Sequence, residues 1–561
     1  MNARPRRWRQ IVLKLVQHAR WVLPGAGSPW ADAMRHELDY IADDPAALRW
    51  AIGCVLASYR VRVTGLRCGG ARTCLRHFAA CGCLMLLAGL ALQGHARGQT
   101  EQPRPAFVET TCDLPNVSPS IRPQLRCGEV SVPRDYDNPG AGQFKLAVVV
   151  IHTVTKEQQA DPVLFIHGGP GSPLTAQAAR IAGAESTILA PDRDLILVDQ
   201  RGAGRSEPAL CPDLAKRQLT AFAQGGSTDV VMTAWRGTYM DCRRNLVQQG
   251  IDPAWFGTSV TVRDIEVLRQ ALGISRWNVY ARSYGTTVAM TMMARHPETL
   301  RAVDLDSIYP PDPAPLTHAQ TFDTALNALF EACCADSACV AAHPDLAATF
   351  HEAMAGLANA PLTVVLPPGL GPADVALGPL LFRGIVNQAL YYRPLLSMLP
   401  NVIQSAHDRD PAALQPLIGH LARQFLAQST GDRMVVECRD RPSLQAESAV
   451  VASTVIPGII DFHGVRRNWV KPGSPPVVAS SNVVPSLLLT GAIDPITPPP
   501  FARIVVARMG PAAPVVEFPH VGHDVEESSA CGANLVTQFV RRPEGPLSTA
   551  CVAAVPPVTL S

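Results

Sequence analysis

The stretch Asn278–Met290 reads NVYARSYGTTVAM. Asn278, Val279, Tyr280 and Ala281 run in as a strand, while Thr287, Met290 and Met293 recur at helical spacing. Arg282, Ser283, Tyr284 and Gly285 lie between, so a serine stands at a strand-to-helix corner. Such a corner strains its central residue and pushes the side chain outward. The N–H groups that follow open a helix, whose dipole favours an oxyanion. The residues two before and two after the serine must be small, because the two backbones nearly touch. Gly285 meets that demand, and Ala281 meets it with one methyl more than the glycine of Gly-x-Ser-x-Gly. A plain surface turn fits so short a match as well, so the rest of the chain has to decide.

Working outward, KLAVVVIHTV reads as a strand, and DPVLFIHGGPGSP as a buried strand, Val163 to Ile166, running into a glycine-rich turn. RDLILVDQRGAGRS is a second buried strand with a second such turn. In TVRDIEVLRQALGI, Ile265, Leu268 and Leu272 share one helical face. Strands alternating with helices predict an α/β fold, a mainly parallel sheet with helices on both faces. Ligands of such sheets bind at the carboxyl ends of strands. His167, Asp199 and Ser283 all fall there.

A serine nucleophile needs a base, and the base needs an orienting acid. PSLLLTGAIDPITPP is an apolar strand whose turn presents Asp494, and APVVEFPHVGHDVEES is a strand whose loop carries His523. Asp494 alone would more commonly be a turn or capping aspartate. His520 is the rival base, but Gly522 suits an exposed loop directly before His523. Asp524 is a poor candidate acid, since a sequence neighbour rarely reaches its own histidine's ring. The chain order Ser283, Asp494, His523 is that of α/β-hydrolases, each residue following an apolar strand. In HGGPG, His167 to Gly171, the glycines let a backbone N–H approach a tetrahedral intermediate. Gly169 and Tyr284 are the expected oxyanion-hole donors, each worth roughly 3–4 kcal/mol of transition-state stabilisation.

The composition fits this reading. With 561 residues, 47% hydrophobic, 17% charged and a net charge of +2, the chain has a large globular core and no basic surplus for nucleic acid. Five of its fifteen cysteines precede residue 100 and ten follow. An even set in loop-like sequence points to disulfides and an oxidising compartment. The absence of CxxC pairs and HExxH argues against zinc, and nothing implies an organic cofactor.

The N-terminal hundred residues have a separate character. FAACGCLMLLAGLAL, Phe78 to Leu92, is an uncharged apolar run preceded by Arg67, Arg72 and Arg76. Gly94 and Ala96 follow in a small-x-small pattern. Basic, apolar and small-residue parts together read as a secretory signal. The run is shorter than the roughly 20 residues that span a bilayer comfortably, although residues 78–96 as one helix would serve as an anchor. Upstream, Ala31, Met34, Leu38 and Ile41, then Ala47, Leu48, Ala51, Ile52 and Val55, suggest two short amphipathic helices split at Asp43-Asp44-Pro45. The segment is either a cytoplasmic helical hairpin or an over-extended N-terminus.

HGGPG, DQRGAGRS, RWNVYARSYGTT, LDSIYPP, TGAIDPITPP and CGANLVTQFV stand in an order that resembles the proline iminopeptidase and tripeptidyl aminopeptidase family of α/β-hydrolases. The resemblance runs from about Cys112 to Cys551. It implies Ser283 as nucleophile, Asp494 as acid and His523 as base. It also implies a mostly helical cap inserted between the sixth strand and the last two. The expected organisation is 1–66 helical segment, 67–100 signal or anchor, 101–311 first part of the core, 312–484 cap and 485–561 last part of the core. Local spacing together with the resemblance predicts Cys112–Cys127, Cys211–Cys242, Cys333–Cys339 and Cys531–Cys551, leaving Cys334 and Cys438 as a last pair. Arg282 departs from the family pattern; a structural ion pair is the preferred role over binding of a substrate carboxylate.

Relatives that trim peptide N-termini hold the free ammonium with cap acids, and VVECRDRP offers Glu437 and Asp440. The expected function is an exported serine aminopeptidase, periplasmic or secreted, that acts on peptides through an acyl-enzyme. The alternatives are a carboxylesterase acting on small esters and a non-catalytic, membrane-tethered binding protein. Nucleophile, acid, base and oxyanion loop together argue against the last. Oligomeric state is not legible in the sequence.

Overall fold

The computed structural model describes residues 105–225, 227–311, 318–441, 469–470, 473–478, 484–510 and 513–560, with Lys14–His18 and a few helical positions between 48 and 55. The chain divides into two compact units, Met1–Pro103 and Arg104–Ser561. In the first, Lys14–His18, Leu48, Ala51, Ile52, Cys54 and Val55 are helical. The signal or anchor reading of Phe78 to Leu92 lies outside the described residues. Among the described residues, no helix is long and apolar enough to cross a membrane.

The second unit is built on one sheet of nine strands. Its strands are β1 (Phe107–Thr110), β2 (Leu125–Pro133), β3 (Gln143–Ile151), β4 (Val163–Ile166), β5 (Leu195–Val198), β6 (Trp277–Arg282) and β7 (Leu300–Asp306). After a cap hairpin of β8 (Leu362–Val365) and β9 (Asp374–Leu377), β10 (Ser486–Gly491) and β11 (Val515–Phe518) complete the sheet. The spatial order is β1-β2-β3-β5-β4-β6-β7-β10-β11. From β5 onward every pairing is parallel, while β1, β2 and β3 pair antiparallel. The sequence shows why. VLFI, LILV and WNVYAR are buried at every position, as a parallel strand covered on both faces requires.

Helices of ten residues or more are α1 (Leu214–Ala223), α2 (Thr228–Gln248), α3 (Thr258–Ala271), α4 (Tyr284–Arg295), α5 (His318–Ala335), α6 (Leu346–Asn359), α7 (Pro379–Tyr391), α8 (Leu414–Ala427), α9 (Thr430–Asp440), α10 (Pro499–Met509) and α11 (Ala530–Arg541). In α3, Ile265 and Leu268 are buried in the cluster on one face of the sheet, and Leu272 packs against it. Leu535 and Val536 of α11 join the separate cluster that holds Phe165 and Tyr280. The helices α5–α9 with the β8–β9 hairpin lie between β7 and β10 in the chain, after the sixth strand counted from β2. This insertion has its own apolar core, in which Phe322, Phe350, Phe382 and Leu390 are buried.

The bridges Cys112–Cys127, Cys211–Cys242, Cys333–Cys339 and Cys531–Cys551 are all formed. The expected Cys334–Cys438 pair is not. Cys334 is exposed, whereas Cys438 is buried with its Sγ 3.8 Å from Met434 Sδ. The bridge at Cys551 starts a C-terminal strap. Leu560 is buried in the apolar core of the insertion, and its N–H donates to Asp336 Oδ2 at 3.2 Å.

Candidate active site

Ser283 stands between β6 and α4 as the N-cap of the helix, with φ 57° and ψ −126°. A non-glycine residue at such a φ costs on the order of 1–3 kcal/mol, which the surrounding packing must impose. The sheet register pairs Ile166 with Ala281, bringing the loop after β4 beside the serine. A Cβ on Gly285 would lie 2.1 Å from the Ile166 carbonyl oxygen, and one on Gly168 would lie 2.6 Å from Ser283 Cβ. Both positions therefore require glycine. Position 281 is less demanding: Ala281 is fully buried and its methyl is part of the apolar core.

Asp494 follows β10 and His523 follows β11. Asp494 Oδ1 accepts the N–H groups of Ile496 and Thr497 at 2.8 and 2.9 Å. Its Oδ2 accepts from His523 Nδ1 at 2.7 Å and from the Thr497 hydroxyl. Burial would raise the Asp494 carboxyl, but the His523 charge and these hydrogen bonds outweigh it and hold the group below its usual range. Burial pulls His523 down in turn, while the Asp494 and Asp524 carboxylates outweigh it and raise the imidazole above its usual value.

Asp524 Oδ1 lies 3.4 Å from His523 Nε2 and 3.5 Å from Arg282 Nε. Burial pushes this carboxyl up to about 6. Arg282 is buried and also pairs with Glu526 at 2.9 Å and Glu527 at 3.0 Å, the structural role expected from sequence. His167, the first residue of the glycine loop, accepts the Gly168 N–H on its Nδ1 at 2.8 Å. Burial, followed by the Arg282 charge, lowers it to about 3, so it stays neutral. Tyr284 directly follows Ser283 as the first residue of α4, and Gly169 follows Gly168, which lies against Ser283, in the glycine loop.

The insertion grips the loops on both sides. Ser429 N donates to Gly171 O at 2.9 Å, and Gly204 N donates to Ser429 Oγ at 3.0 Å. On the other side, His523 N donates to Tyr391 O at 3.1 Å. The Tyr391 hydroxyl lies 2.8 Å from His523 Nε2, with the rings 3.9 Å apart between centroids. Sequence reading missed Tyr391, because nothing in LYYRP at the end of a helix marks a site residue.

Glu437 and Asp440 both lie on α9 and are buried. Glu437 pairs with Arg433 at 3.2 Å. Asp440 Oδ2 accepts the Thr258 N–H at 2.8 Å and its hydroxyl at 2.6 Å, while Thr258 Oγ1 also meets the Tyr284 hydroxyl at 2.7 Å. Asp440 is thus linked through one threonine to the residue after Ser283. Burial raises its carboxyl to about 6. It is His523, not the rival His520, that the Asp494 carboxylate engages.

The family model described as the alpha/beta hydrolase fold matches residues 161–527. A tripeptidyl aminopeptidase of Streptomyces lividans is 29% identical over 201 residues, 33% of this chain and 36% of its own length. Carboxylesterase B of Mycobacterium tuberculosis is 32% identical over 267 residues, 45% of this chain and 50% of its own. A serine protease of the same organism is 25% identical over 453 residues, 74% of this chain and 84% of its own. The chain therefore spans between about a third and a half of the first two relatives. Among solved structures, a proline iminopeptidase-related protein of Thermus thermophilus aligns with a TM-score of 0.32 at 17% identity, covering 74% of this chain and 96% of that one.

Proposed function

The chain belongs to the alpha/beta hydrolase fold family, and from that membership we propose that it is an exported serine hydrolase that trims peptides from the N-terminus. The observation that carries the reading is the strained Ser283 elbow together with an imidazole held by Asp494 at 2.7 Å. Ser283 Oγ attacks the scissile carbonyl and its proton passes to His523 Nε2. Asp494 fixes the tautomer and stabilises the resulting imidazolium. The Gly169 and Tyr284 amides receive the oxyanion. Collapse expels the leaving amine, protonated by His523, and water then releases the acyl group.

The peptide preference rests on the relatives named tripeptidyl aminopeptidase and serine protease. A buried ammonium needs a carboxylate to face it. Of the two expected acids, Asp440 is the better candidate, because Glu437 is engaged by Arg433. The hydrogen bonds of Asp440 use Oδ2, and its Oδ1 lies against Gly257. The four disulfides support an oxidising compartment. The second reading, a carboxylesterase, is favoured by the 32% identity to carboxylesterase B.

The deciding experiment compares tripeptidyl anilides with free and acetylated N-termini against aryl acetates, using wild type and Ser283→Ala. The peptidase reading expects fast turnover of free anilides, slow turnover of acetylated ones and none by the variant. Equal rates on free and acetylated anilides would remove the aminopeptidase, and turnover of aryl acetates alone would make the protein an esterase. A folded Ser283→Ala protein with wild-type activity would remove the serine mechanism altogether.

A further inference from the structure

We propose that Asp306, together with its neighbour Ser307, is a positioning residue that sets His523 against Ser283. The inference rests on the serine-hydrolase reading and adds two residues to it.

β7 lies between β6 and β10, and its register pairs Asp306 with Arg282 on one side and with Leu489 on the other. The last residue of β7 thus stands beside the residue that precedes the nucleophile. The main chain is bonded in both directions. Ser283 N donates to Asp306 O at 2.9 Å, and Ser307 N donates to Leu489 O at 3.0 Å.

The Asp306 side chain is fully buried and is spent on the loop of the base. Its Oδ1 accepts the Val525 N–H at 2.9 Å and the Ser307 hydroxyl at 3.0 Å. Its Oδ2 accepts the Glu526 N–H and the Tyr280 hydroxyl, each at 2.9 Å. Ser307 Oγ in turn accepts the Asp524 N–H at 2.8 Å. The three amides that follow His523 are therefore all held by two consecutive residues, the first of which also holds the backbone of Ser283. The opening N–H groups of the helical turn Val525–Ser528 have no partner within it, so an outside acceptor must meet them. An ionised carboxylate suits this place, because it offers two acceptor oxygens and no donor.

The backbone marks the same corner. Among the described residues six other than glycine have a positive φ, and three of them meet here: Ser283 at 57°, Ser307 at 57° and Asp524 at 59°. Such conformations persist only where the surroundings over-determine them, and they gather at functional sites. Asp494 orients the imidazole through Nδ1. How far Nε2 stands from the serine depends on the seat of the two backbones, and Asp306 joins both.

The test compares wild type, Asp306→Asn and Ser307→Ala by melting curve, by fluorophosphonate labelling of Ser283 and by steady-state kinetics on an aryl ester. All rates are taken well below the melting temperatures. In Asp306→Asn one oxygen becomes an NH2 group, and either orientation sets it against a backbone N–H of the loop. The loop must shift, and a misplacement of about 1 Å costs on the order of 100-fold. Labelling and kcat should therefore fall by about 100-fold, with KM little changed. Ser307→Ala keeps the backbone and its Cβ, strands only the Asp524 N–H, and should show a smaller loss of the same kind. Because it removes a single hydroxyl, it decides the matter if Asp306→Asn does not fold. Variants that melt lower but label at the wild-type rate would overturn the proposal and leave the corner a brace for the fold alone. A raised KM at unchanged kcat would overturn it as well. Wild type unlabelled at Ser283 would instead overturn the serine-hydrolase reading, and the positioning role with it.

Discussion

Replacing Asp494 with asparagine tests the site most sharply, because the surrounding hydrogen bonds dictate how the new amide must sit. Oδ1 of the carboxylate accepts two backbone N–H groups, from Ile496 and Thr497. An asparagine must keep its carbonyl oxygen there, since an NH2 group would face two donors. Its NH2 is thereby forced into the place of Oδ2, facing His523 Nδ1 and the Thr497 hydroxyl. The amide donates to Nδ1, so the neutral imidazole must carry its proton on Nε2. The base then presents a proton where it needs a lone pair. A comparable inversion costs about 10⁴-fold in kcat. That corresponds to about 5 kcal/mol of barrier. The backbone hydrogen bonds survive, so the fold should be retained. Steady-state kinetics on an aryl ester, a melting curve and imidazole 15N shifts read out rate, fold and tautomer. Activity within tenfold of wild type, with Nδ1 still protonated, would refute the reasoning.

Three further outcomes follow from specific contacts. Gly285→Ala should destabilise the protein by at least about 3 kcal/mol, because the new Cβ meets a strand carbonyl rather than a movable side chain; an unchanged melting temperature would contradict the close approach. Only neutral His523 can accept a proton, so activity should fall as the pH drops through its raised pKa, and Asp524 contributes to raising it. Asp524→Asn should therefore move the acid limb of kcat/KM to lower pH, and a limb that stays put would show that Asp524 does not act on the imidazole. Replacing Cys531 and Cys551 with serine opens a bridge of sequence separation 20 and should cost about 2–4 kcal/mol, read as a lower denaturation midpoint under non-reducing conditions; an unchanged midpoint would show that this bridge does not hold the C-terminal strap.

Local periodicity made much of the sheet legible. VLFI, LILV and SLLLTG are buried throughout, and each ends in the turn that the sequence marked with glycine or aspartate. The elbow was legible for the same reason, since a strand pattern turns into a helix pattern within four residues of Ser283. Juxtapositions across the chain were not legible. Tyr391 reaches a ring 132 residues away, and Asp440 reaches Thr258 across 182. No local pattern encodes either contact, because each depends on how the insertion settles on the sheet. The same blindness produced the Cys334–Cys438 expectation. Those two cysteines were paired by elimination, and neither burial nor direction can be read from a count.

The placement of the insertion also has a consequence for how the protein is made. Ser283 leaves the ribosome well before Asp494 and His523, with all of α5–α9 in between. At roughly 5–20 residues per second, the wait lasts on the order of 10–40 s. Throughout it, the growing chain carries a serine corner but neither the carboxylate nor the imidazole proposed to activate it. The His523 loop also needs the Tyr391 carbonyl, so it can dock only on an insertion that has already folded. Hydrolytic power then comes last in biosynthesis, after the polypeptide has passed the stage at which its own unfolded segments would be easy prey.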